Sequence, residues 1–154
     1  LCQASNGPEH EAAIRAVIED CRKNSKELYY DSSYTVDPAA KNNPAISPEI
    51  KNLILAMHTL HHENMEHCEL IAGGNLRFKM ERLYQFWGYN GLSLGGRALG
   101  PLEMPFYAGD KMMVYHLTRW SPGALDLAAT YKLLWRQMLI VGDHTKPDTA
   151  RRVA

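Results

Sequence analysis

Four of the seven histidines in this 154-residue chain fall within one run, Met57-His58-Thr59-Leu60-His61-His62-Glu63-Asn64-Met65-Glu66-His67-Cys68-Glu69. Imidazoles, carboxylates, a thiol and thioethers are the side chains that bind transition metals, so metal ligation is the first chemistry to weigh. On a helix of about 100° per residue, Ile50, Leu53, Ile54, Met57, Leu60, Asn64, Cys68 and Ile71 form one apolar arc with His61 at its edge. His58 and His62 stand one turn apart on the neighbouring flank, and Glu66 follows one turn further. Side chains at i and i+4 project from one face about 6 Å apart, so His58, His62 and Glu66 could converge on a copper, zinc or iron ion. Participation of Met65 or Cys68 would tilt the choice toward copper(I).

The competing reading is a solvated helix face on which His and Glu are ordinary residues. A fourth ligand would then have to come from His10, His116 or His144. The zinc-protease pattern His-Glu-x-x-His is absent, because His62-Glu63-Asn64-Met65 is followed by Glu66. Gly91-Leu92-Ser93-Leu94-Gly95 has the outline of a nucleophile elbow, but glycines and a proline follow it where a helix is needed. No Gly-rich phosphate loop with Lys-Ser or Lys-Thr occurs.

The elements that would carry these groups read as helices. Asn6-Gly7-Pro8-Glu9 opens the first, with Ile14, Val17, Ile18, Cys21 and Leu28 at helical spacing, and turn formers mixed with tyrosines follow from Tyr29 to Ile46. Ser47-Pro48-Glu49 opens a second, which Gly73-Gly74 closes about 25 residues later. A third runs from Asn75 to Gly88 through Leu76, Met80, Leu83, Tyr84 and Trp87. Asp110 to Trp120 reads as a fourth, although Val114-Tyr115-His116-Leu117-Thr118 suits a strand equally well. Ser121-Pro122 opens a fifth, which ends at Gly142.

The pattern thus predicts an all-α fold, an irregular four- or five-helix bundle with a long apolar Gly/Pro loop, as one domain over residues 1–154 with loose ends at 1–5 and 143–154. The loop, Gly88 to Gly109, combines glycines and prolines with Leu92, Leu94, Leu99, Leu102, Met104, Phe106 and Tyr107. Loops of this length usually carry function or pack on something. Those seven side chains are therefore candidates for binding a partner protein, or for filling the open end of their own domain.

Composition narrows the classes further. Lys plus Arg (17) balances Asp plus Glu (17), so no net field draws the chain to nucleic acid or an anionic membrane. The apolar stretch Leu125 to Val141 carries Asp126, Lys132, Arg136 and Gln137, which argues against a membrane span. Leu1 in place of Met suggests a processed or excised chain. Cys2, Cys21 and Cys68 are too few for a disulfide scaffold, although Cys2 and Cys21 could pair. The expectation is a non-enzymatic helical interaction protein, a subunit or binding module, with a metal-binding helical protein as the alternative.

Overall fold

In a computed structural model the chain is described over residues 6–31, 38–63, 65–103, 109–137, 139–141 and 150–152. It is an α/β fold, which corrects the all-α expectation and with it the helical bundle: among the described residues five helices accompany a mixed five-stranded sheet and two short ribbons. Two compact units emerge, one from residues 1–35 and 64–121, the other from residues 36–63 and 122–154.

The first unit is built on the sheet. Helix α1 (Gly7–Lys23) starts with Pro8 in its first turn, where the missing N–H costs nothing, and ends with Arg22 and Lys23 at the negative end of its dipole. Ser25, at φ 55°, reverses the chain, and Lys26 N–H donates to Cys21 O at 2.8 Å. Strand β1 (Glu27–Asp31) then pairs in parallel with β2 (Cys68–Asn75), Leu28 beside Glu69 and Tyr30 beside Ile71. A single 3-10 turn (Leu76–Phe78) and helix α4 (Glu81–Trp87) follow. Strands β3 (Asn90–Gly91), β4 (Ser93–Leu94), β5 (Arg97–Ala98) and β6 (Leu102–Glu103) lead to β7 (Lys111–Leu117), which pairs antiparallel with β2. The sheet runs β1-β2-β7-β3, with β6 also on β7.

Strand alternation sorts the two faces. Ile71, Gly73, His116 and Val114 share one face with Leu28, and α1 covers it through Ala13, Ile14 and Val17. Ala72, Gly74 and Tyr115 lie on the other, where α4 stacks Tyr84 on Tyr115 at 4.8 Å between ring centroids. Gly88 ends α4 at φ 103°, and both its N–H and that of Tyr89 donate to Tyr84 O. An added Cβ at Gly88 would lie 2.8 Å from Ser121 N, so this position requires glycine twice over.

The expected long loop is a meander of short strands. Leu92, Leu99 and Leu102 are buried in one cluster with Ile71 and Val114, and Leu94 packs half-buried against it. Gly95 and Gly96, at φ 57° and 81°, form the two-residue link of the β4–β5 hairpin, the left-handed pair that strand twist favours. Arg97 reaches Glu9 at 2.9 Å and fastens this hairpin to α1.

The second unit contains α2 (Pro38–Lys41), α3 (Ser47–His61), α5 (Pro122–Gln137) and a ribbon of β8 (Leu139–Val141) with β9 (Ala150–Arg152). Helix α3 packs on α5, burying Leu55, Ala56, Thr59 and Leu60 of the one and Ala124 and Ala128 of the other. Tyr131 donates to Glu49 Oε1 at 2.6 Å across this pair. No helix among the described residues is long and apolar enough to cross a membrane.

The second expected helix stops at His61, twelve residues before Gly73. Beyond it, Cys68 to Ala72 are all buried, and a strand buried on both faces, apolar here but for Glu69, shows no telling period.

Candidate functional site

The His-rich run does not continue as one helix. His58 lies within α3 and His62 caps it, their rings edge-to-face at 5.5 Å. The helix ends at His61, so no further turn brings Glu66 beside His62; Glu66 is exposed in the turn before β2, in the other unit. Among the described residues no group of three His, Cys, Asp or Glu is placed to hold a metal, which corrects the general expectation of a metal-binding protein. His61 is exposed, with its ring edge-on to Trp135 at 6.1 Å and to His62 at 4.6 Å.

Of the seven loop residues named for a partner, Leu92, Leu99 and Leu102 are core and Leu94 lies against it. Met104, Phe106 and Tyr107 lie outside the described residues, as does Cys2.

Two features that the sequence reading missed lie together on the α1 face of the sheet. The first is polar. Glu69, 4% exposed, accepts from Lys26 Nζ at 2.9 Å and from His116 Nε2 at 2.7 Å. Burial alone would raise its pKa, but these two donors outweigh burial and hold the carboxyl below its ordinary value. The buried Cys21 thiol faces the same carboxylate; burial, then the Glu69 charge and hydrogen bond, push it up to about 11. A thiol held protonated at neutral pH is a poor nucleophile. Cys68, also buried, is raised first by burial and then by Glu27 and Glu69. Neither cysteine is in a disulfide.

The second feature is an apolar cleft of about 360 Å³. Ile14 of α1 lines it, with Leu28 and Tyr30 of β1, Ile71 and Gly73 of β2, and Met112 and Val114 of β7; Tyr29 and Ala72, whose side chains belong to the opposite face, also border it. Gly73 creates much of the space: a Cβ there would stand 2.9 Å from Met112 Sδ and 3.2 Å from Tyr30 Oη. Glu69 and Ile71 are alternate residues on the same face, so the polar cluster borders the floor of the cleft. The tyrosine pair offered a signal in the sequence, since aromatics at a strand edge favour interfaces. The cleft itself needs three segments far apart in sequence, which no local pattern joins.

On the opposite face Tyr84, Tyr89, Trp87 and Tyr115 form an aromatic cluster. Tyr89 donates to Asp31 Oδ2 at 3.3 Å, and burial first, then the Asp31 charge, raises its pKa strongly. These rings fill the space under α4 and hold β1 from below.

Comparison of the chain with protein-family models, with curated proteins and with solved structures gives no match in any of the three.

Proposed function

We propose that this chain is a non-catalytic interaction protein whose sheet unit takes an apolar side chain of a partner protein into the cleft under α1. The cleft itself carries this reading. Its volume lies in the range of ligand pockets, about 300–1,000 Å³, and its walls are aliphatic, thioether and tyrosine side chains. Such walls offer burial and shape to an incoming group, with little means to make or break bonds. The groups nearby that could do chemistry are engaged with one another: Lys26 and His116 donate to Glu69, and Cys21 is held as the thiol.

Burying one side chain of leucine or phenylalanine size is worth about 1.5–3 kcal/mol, enough to rank partner sequences and too little to bind alone. The test is a titration of the full, methyl-labelled chain with indole, following the methyl signals of Ile14, Leu28, Ile71, Met112 and Val114. Saturable shifts at these methyls are expected, weakened about tenfold or more by Gly73→Val, since tenfold corresponds to about 1.4 kcal/mol of lost burial. Shifts centred elsewhere, or indifferent to Gly73→Val, would defeat the reading.

A further inference from the structure

Strand β1 ends the sheet. It pairs with β2 on one side, and among the described residues no strand lies on its other side. Glu27 N–H donates to His67 O, on the β2 side, at 2.9 Å. Alternation therefore turns the N–H and C=O of Leu28 and Tyr30 outward, a ready template for another strand. The side chains of the same five residues divide by face. Leu28 and Tyr30 belong to the cleft face, and Tyr30 is 68% exposed; Glu27, Tyr29 and Asp31 belong to the other. That second row carries two acids and no base.

The geometry points to an occupant: an extended segment of a partner protein that adds to β1 as a new strand, basic opposite Glu27 and Asp31 and apolar opposite Leu28 and Tyr30. This rests on the cleft reading above, because the apolar residues of the segment are the ones that enter or border the cleft. Directly opposed residues of paired strands share a face, so alternating basic and apolar side chains meet alternating acids and cleft. The five-residue pattern basic-apolar-x-apolar-basic fits in either strand direction. Main-chain bonds would supply affinity and the alternating side chains specificity, as in other strand-addition complexes.

A second copy of this chain fits poorly. Antiparallel pairing of two β1 strands about Tyr29 sets Glu27 against Asp31 twice, and parallel pairing sets each acid against itself. Like charges directly opposed across strands are destabilising.

The experiment uses the full chain and a capped nonapeptide with the core Lys-Leu-Thr-Val-Lys, compared with its twin carrying glutamate for both lysines. On adding the basic peptide, the amides of Leu28 and Tyr30 should gain protection from hydrogen exchange. The acidic twin should bind between about twofold and thirtyfold more weakly at low salt, the range for two cross-strand charge pairs. Glu27→Lys, at an exposed position, should narrow that preference several-fold. Equal binding of the two peptides, or no protection at Leu28 and Tyr30, overturns the proposal. So does protection that grows with protein concentration alone alongside a dimer in sedimentation, which would identify a second copy as the occupant. Indole shifts without peptide protection leave the cleft reading standing and remove the strand pairing; absent indole shifts remove the cleft reading by themselves.

Discussion

Adjacent glycines in β2 should respond oppositely to the same added methyl. At Gly73 the new Cβ would meet Met112 Sδ at 2.9 Å and Tyr30 Oη at 3.2 Å, the mobile parts of two side chains that border open space. At Gly74 it would meet Tyr84 Cε2 at 2.8 Å, Tyr115 Cε2 at 3.0 Å and Met80 Cβ at 3.1 Å. Those rings are stacked at 4.8 Å and both are buried, so they have nowhere to retreat. Neither glycine has a positive φ, so replacing either by alanine also relieves the entropic cost of glycine, about 0.5–1 kcal/mol. For Gly73→Ala this gain roughly offsets the displacement of Met112, and stability should change by less than about 1 kcal/mol. For Gly74→Ala, overpacking of about 1–3 kcal/mol and disruption of a ring pair worth about 0.5–1.5 kcal/mol exceed the gain, for a net loss near 2 kcal/mol. In a chain of this size that corresponds to a drop in Tm of about 4–8 °C. Urea unfolding followed by Trp87 and Trp120, both buried in the sheet unit, in a Trp135→Phe background, measures both variants. Equal costs, or a costlier change at Gly73, would refute the assignment of the two glycines to opposite faces and with it the cleft beneath Tyr30.

Glu69→Gln keeps the volume and loses the charge that Lys26 and His116 share, and should cost about 1.5–3 kcal/mol at neutral pH in the same unfolding assay. Because the folded-state pKa of Glu69 is lowered, its contribution is complete above the ordinary value of 4.5 and is lost as pH falls through the folded value; the variant should lack that part of the acid-side decline. Leu102→Ala, at a side chain 2% exposed in the cluster with Ile71 and Val114, should cost about 2–5 kcal/mol, whereas a residue of a solvent-facing loop would cost under about 0.5 kcal/mol.

The legible parts of the sequence were those with local punctuation. Pro8, Pro48 and Pro122 each open a helix of the structure, and Gly88 closes one. The sheet was obscured for separate physical reasons. Strand β2 is buried on both faces, so Glu69 to Ala72 lacks alternation, and Gly73-Gly74 imitates a helix stop although it exists to admit side chains on either face. Strand β1 hides among turn formers because its acids and tyrosines serve an edge rather than a core. Strands β3 to β6 have two residues each, too short for any period to register. The His-rich run misled because the wheel that aligned His58, His62 and Glu66 assumed a helix continuing past His61.

The buried polar cluster and the cleft are coupled through strand register. Glu69 binds Lys26, at the entry to β1, and His116, on β7, so one carboxylate ties both neighbours of β2 at fixed positions. Side chains alternate with a period of two, so a slip of one residue between β2 and either neighbour would carry Glu69 away from its donors and turn Ile71 out of the cleft floor. Each carboxylate bond lost in such a slip would leave a buried charge without its donor, a cost of several kcal/mol that a purely aliphatic strand would not incur. An apolar core at this end would bury as much surface yet tolerate neighbouring registers. Glu69 therefore contributes positional uniqueness to the cleft more than it contributes net stability, and its replacement by an apolar residue of similar size should loosen the cleft even where the fold survives.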